Sequence, residues 1–152
     1  MSIKAKYVHT NIVAANWKRL ADFYVDVFGC SIVPPERDYS GKELDAGVNI
    51  PGAHLHGVHL LLPGWGENGP TLEIYSYNFH EKKPKTAVNR PGFTHIAFEV
   101  DSVEEALQKV LASGGNNVGK IVTLTTSIVN KVTWCYLTDP EGNIIELQKW
   151  DR

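Results

Sequence analysis

The sequence predicts an α+β fold in which one βαβββ module is written twice. Three observations predict it. Val8-His9-Thr10-Asn11-Ile12-Val13 and Thr94-His95-Ile96-Ala97-Phe98-Glu99 are strand-like stretches with histidine at the same place. Each is followed by apolar residues at helical spacing, closed by Gly29 and Gly115 at equal distances beyond the histidines. Each copy then ends on a strand with one glutamate, "NGPTLEIYSY" and "DPEGNIIELQKW".

In the first copy, alternation along the opening strand makes Val8 and Ile12 a packing row and turns Tyr7, His9 and Asn11 the other way. Trp17, Leu20, Ala21, Tyr24, Val27 and Phe28 form the helix face, with Asn16 as its N-cap. Residues 34–57, "PPERDYSGKELDAGVNIPGAHLHG", have little periodicity and read as a long loop, either a lid carrying Arg37 and Tyr39 or a solvated insertion. Within "GAHLHGVHLLLPG", packing of Val58, Leu60 and Leu62 under the helix sends His59 to the opposite face, while His54 and His56 read as exposed loop residues. His-x-His also fits a cupin metal site, but Leu60 and Leu61 stand where that site needs glutamate. On the closing strand Leu72 and Ile74 pack, and Thr71, Glu73 and Tyr75 oppose them.

The basic stretch "HEKKPKTAVNRPG" reads most simply as a solvated linker, the alternative being that Lys82, Lys83, Lys85 and Arg90 rim a pocket for an anionic substrate. In the second copy Ile96 and Phe98 pack and His95, Ala97 and Glu99 oppose them. Ser102 with Glu105 forms a capping box for a helix whose inward face is Val103, Ala106, Leu107, Val110 and Leu111. On the last strand Ile145 and Leu147 face that helix, leaving Ile144, Glu146, Gln148 and Trp150 on the other side. The expected organisation is one domain over residues 1–152, with modules at 5–79 and 92–150 and a linker at 80–91.

A chain of 152 residues with 43% hydrophobic content can bury an ordinary core. Its net charge of -2 supplies no basic field for a phosphate backbone or an anionic membrane, which excludes nucleic acid as an expected partner. No run of about 18 apolar residues occurs and the first residues lack the apolar core of a signal peptide, so a cytoplasmic protein without a membrane partner is expected. Cys30 and Cys135 form no CxxC motif and are expected to be free, buried thiols.

One histidine in a strand is most simply a satisfied core residue. Two histidines and two glutamates at equivalent points of a duplicated module, all on the faces away from the helices, are different, because four such groups are costly to bury without purpose. A divalent cation compensates both carboxylates and takes a lone pair from each imidazole. His9, Glu73, His95 and Glu146 are therefore expected to bind one divalent metal ion through nitrogen and oxygen, a donor set that suits Ni, Zn, Co, Mn or Fe(II).

The motifs "VHTNIV", "FYVDVFGC", "TLEIYSYN", "FTHIAFEVDSVEEALQKV" and "YLTDPEGNIIELQKW" span nearly the whole chain, and together they resemble the vicinal oxygen chelate superfamily. Glyoxalase I, extradiol dioxygenases, methylmalonyl-CoA epimerase and the fosfomycin- and bleomycin-resistance proteins belong to it. The resemblance implies that the two modules form a cupped, partly open barrel of mixed sheet with the metal at its centre, held by His9, Glu73, His95 and Glu146. It is strongest to glyoxalase I, because glutamate stands at the ligand position in both copies. The implied activity is that of a metal-dependent lyase or isomerase moving a proton on a small substrate chelated through adjacent oxygens, with Glu146 as principal base and Glu73 sharing the work. Asn11, His59, Tyr75, Asn78 and Gln148 are the expected substrate contacts, and a homodimer is the expected assembly.

One departure matters. Bacterial-type glyoxalase I carries arginine four residues after its first histidine to bind the glutathione carboxylate, whereas this chain has Val13, and Asn78 is displaced by one position from a second glutathione contact. The resemblance therefore leaves the substrate open. The alternatives are an Fe(II) extradiol-type dioxygenase, an epimerase and a protein that sequesters a small molecule without turnover.

Overall fold

The computed structural model describes residues 1–128 and 130–151. The chain divides into two compact units, Met1–Lys82 and Lys83–Arg152.

In the first unit the elements run β1 (His9–Val13), α1 (Trp17–Phe28), β2 (Ser31–Ser40), α2 (Lys42–Val48), β3 (His54–Leu61) and β4 (Thr71–Tyr77). They build one mixed sheet of order β1-β4-β3-β2, with β1 parallel to β4 and the other neighbours antiparallel. The first helix starts where the expected cap lies, since the Asn16 side chain accepts from the Arg19 N–H at 3.1 Å. It stops at Gly29, whose φ of 70° lets its N–H turn back to the Tyr24 and Val25 carbonyls. Leu20 and Tyr24 of α1 are buried with Val58, Leu60, Leu72 and Ile74 of the sheet. Those apolar positions fix which face of the sheet is left for polar groups.

The second unit runs β5 (His95–Glu99), α3 (Val103–Ala112), β6 (Asn116–Asn117), β7 (Val122–Thr125), β8 (Lys131–Thr138) and β9 (Ile144–Asp151). Its sheet has the order β5-β9-β8-β6, with β7 also pairing β8 and with β5 parallel to β9. Ser102 caps α3 by accepting from the Glu105 N–H at 3.2 Å. Val103 and Val110 of α3 are buried, as are Leu137, Ile145 and Leu147 of the strands. The segments β6 and β7 are two pieces of one interrupted edge strand. They pair successive parts of β8, and the N–H groups of Val118 and Gly119 between them both donate to the Tyr136 carbonyl. The repeat of the α+β module is therefore real down to strand order.

Two expectations are corrected. Residues 34–57 are not a long loop: most of β2, all of α2 and the first half of β3 lie there. The strand was hidden because register is lost between Val33 and Arg37, across two prolines that cannot donate to a ladder. The helix was hidden because none of its residues is buried, so it has no apolar stripe. Likewise His54 and His56 belong to strand β3 rather than to a loop. The expectation of two free, buried cysteines agrees with the structure. Among the described residues, no helix is long and apolar enough to cross a membrane.

Candidate metal centre

Register places the polar groups of the first unit. On the face of the sheet away from α1, Glu73 is the β-partner of both Asn11 on β1 and His59 on β3, with His9 and Tyr75 two residues to either side in the same rows. His9 Nε2 lies 3.2 Å from one Glu73 carboxylate oxygen, and His59 Nε2 lies 2.8 Å from the other. The Tyr75 hydroxyl donates to that second oxygen at 2.9 Å and meets His59 Nε2 at 2.8 Å. The Asn11 amide donates to the first oxygen at 3.3 Å. The carboxylate is thus buried and touched from four sides.

These contacts set the local protonation. Burial, and then the hydrogen bond to Glu73, hold the Tyr75 phenol well above its usual range, so it stays protonated and donating. Burial lowers the His59 imidazole below its usual value despite the attraction of Glu73, with Arg37 and His9 adding to the fall.

The second unit repeats the pair with fewer neighbours. His95 Nε2 lies 3.0 Å from a Glu146 carboxylate oxygen. Tyr136 is the β-partner of Glu146, the place held by His59 in the first unit, and its ring lies 4.9 Å from that of His95. Burial, then the Glu146 charge, raise the Tyr136 phenol. Gln148 lies two residues on, in the same row as Glu146, and accepts from the Trp150 indole N–H at 2.7 Å. The turn before β9 explains why "DPEGN" precedes the glutamate. The fully buried Asp139 accepts from the Glu141 N–H, the Asn143 N–H and the Asn143 amide, and Gly142 supplies a φ of 84°.

Within each unit, then, the structure brings the predicted histidine and glutamate together, with Asn11, His59 and Tyr75 beside the first pair and Gln148 beside the second. Asn78 is elsewhere. It follows β4 on the α1 side of the sheet, where its amide donates to the Gly52 carbonyl and its oxygen accepts from the His54 N–H.

The pairs fit a metal. Two donors about 2.1 Å from one ion and at right angles to it are about 3.0 Å apart, and the observed separations are 3.2 and 3.0 Å. Imidazole nitrogen and carboxylate oxygen suit divalent first-row ions.

The family model described as Glyoxalase/Bleomycin resistance protein/Dioxygenase superfamily matches residues 6–147. The chain belongs to that superfamily. Among solved structures, this superfamily member is similar to a glyoxalase family protein from Bacillus cereus, with a TM-score of 0.74, 16% identity, and 100% of this chain and 97% of that one covered. It is also similar to a glyoxalase/bleomycin resistance protein/dioxygenase family enzyme from Burkholderia phytofirmans PsJN, with a TM-score of 0.59, 14% identity, and 95% and 98% coverage. These likenesses establish the fold alone. A curated relative, the glyoxalase domain-containing protein RDO1 of Mycosarcoma maydis, is 29% identical over 99 residues, which span 62% of this chain and 56% of the relative.

Proposed function

We propose that His9, Glu73, His95 and Glu146 ligate one divalent metal ion, and that the chain is a glyoxalase I-like lyase or isomerase acting on a small substrate held through adjacent oxygens. One observation carries this reading: the same imidazole–carboxylate pair, at a spacing suited to neighbouring ligands of one ion, stands at the same place in both modules. When bound, the ion supplies Lewis acidity, which steadies the charge left on the substrate oxygens as a neighbouring C–H bond breaks.

The protein's own groups divide the remaining work. Glu73 is fixed by Tyr75, His59 and Asn11 besides His9, which suits a steady ligand. Glu146 meets only His95 among the ion pairs and hydrogen bonds described, which suits a carboxylate that takes the proton from one carbon and delivers it to the next. Asn11, Tyr75 and Gln148 flank these groups and orient substrate oxygens. A homodimer is the assembly that goes with this reading.

Glu146→Gln removes the base while keeping the side chain's size and one oxygen. The expected result is a loss of about 10²- to 10⁴-fold in kcat for proton exchange at the carbon beside a chelating carbonyl, with substrate binding retained. Undiminished exchange in this variant rules Glu146 out as the base. The contact of His59 with Tyr75 favours a second reading, an Fe(II) ring-cleaving dioxygenase with these as acid–base groups. Oxygen uptake with a catechol, dependent on added Fe(II), distinguishes it from isomerisation.

A further inference from the structure

On the other face of the first sheet, three side chains not used above come together. His54 and His56 are two apart on β3 and share a face, and Asp38 on β2 is the β-partner of His56. Asp38 Oδ1 lies 2.6 Å from His54 Nε2, and its Oδ2 lies 3.2 Å from His56 Nε2. The two imidazole rings stand 4.3 Å apart. One donor atom from each of the three residues falls within 4.8 Å of the other two.

We propose that Asp38, His54 and His56 form a second, separate site for a divalent transition ion of the Co, Ni or Zn class. Two imidazole nitrogens and one carboxylate on one side of an ion leave coordination positions open on the other. A cleft of about 430 Å³ adjoins the two histidines, walled by them together with Trp17, Ser76 and Asn78. The neighbouring polar groups are already committed. Ser76 accepts from the Trp17 N–H and donates to the Ala14 carbonyl, and the Asn78 amide holds Gly52 and His54 backbone. Of the triad, His54 and His56 line this cleft, and Asp38 joins them from β2. Each ring must offer a bare Nε2 to the ion, its proton carried on Nδ1 or released, so binding weakens as pH falls. Strand alternation separates this triad from His59 and Glu73, which face the opposite side of the same sheet.

This site is independent of the proposed catalytic one, and the test separates them. The full chain, stripped with chelator, is dialysed to equilibrium against Co²⁺, and bound ion is measured for the wild type and for a His9→Ala/His95→Ala background. That background is expected to keep one Co²⁺ per chain and to lose it when His56→Ala or Asp38→Asn is added. Asp38→Asn is nearly isosteric on an exposed strand, so it remains informative if the His56 variant fails to fold, as judged by far-UV circular dichroism. A background that binds no Co²⁺, or that binds it equally with either substitution, reduces the triad to a hydrogen-bonded clamp and overturns the proposal. Equal stoichiometry in the wild type and the background would instead count against the His9/His95 site.

Discussion

Glu73 and Glu146 occupy equivalent positions, yet their surroundings differ. The first is touched by His9, His59, Tyr75 and Asn11, while the second has Tyr136 in the place of His59 and Ala97 in the place of Asn11. Under the proposed function, this difference in neighbours suits one carboxylate to hold still and the other to move. That each histidine shares a face with its glutamate was legible from alternation alone, because the apolar rows left no other face for them. Asp38 was not legible, because it joins His54 and His56 through the β2–β3 register and not through any spacing along the chain. The cysteines carry a prediction at this scale. Burial pushes the thiols of Cys30 and Cys135 from 9.0 up to about 11. The folded state therefore holds protons that the unfolded chain sheds, and stability is full below pH 9 and falls as pH rises toward 11. Urea midpoints across that window should drop for the wild type and drop less for Cys30→Ala, and both thiols should resist iodoacetamide until the chain is unfolded.

At the level of elements, α1 and α3 were readable because their caps and apolar stripes are local, whereas α2 has neither a side-chain cap nor a buried face. Asn16, Gly29 and Ser102 each act where the sequence puts them. The second strands were not, because both are broken: β2 loses register across Pro34–Pro35, and residues 118–121 separate β6 from β7. In each module the break lies close to the position beside Glu73 or Glu146, opposite His59 and Gly57 in one and Tyr136 in the other. An edge strand bears such irregularity at low cost, since only one neighbour must be satisfied. Gly57 shows how tightly β3 and β4 are matched here. A Cβ on it would stand 2.0 Å from the Ile74 carbonyl oxygen and 2.4 Å from Tyr75 Cδ1. Gly57→Ala must shift the strand or displace Tyr75, and is expected to destabilise the protein by about 1–3 kcal/mol in urea unfolding. It should also impair the Glu73 site, which Tyr75→Phe would reach without the strand shift.

For the molecule as a whole, the proposed ligands run from residue 9 to residue 146, so a bound ion favours the folded chain over one that cannot hold all of them at once. Free ion at about 100 times its dissociation constant contributes about 2.7 kcal/mol to folding. Chelator should therefore lower the midpoint of thermal unfolding and added Ni²⁺ or Zn²⁺ restore it, with a smaller shift in His9→Ala and His95→Ala. A midpoint indifferent to chelator would argue that these residues form hydrogen-bonded pairs only. By itself the sequence determined the duplicated module, both caps of α1, the N-cap of α3 and the polar rows, because periodicity and capping act over a few residues; α3 itself closes at Ser113, short of Gly115, and Val8 of the expected packing row is exposed. Only the tertiary structure decided what needs two strands side by side: the broken edge strands, the clasp of His59 and Tyr75 on Glu73, and the meeting of Asp38 with His54 and His56. Register between strands is set by the packing of a whole sheet against its helix, and no short stretch of chain encodes it.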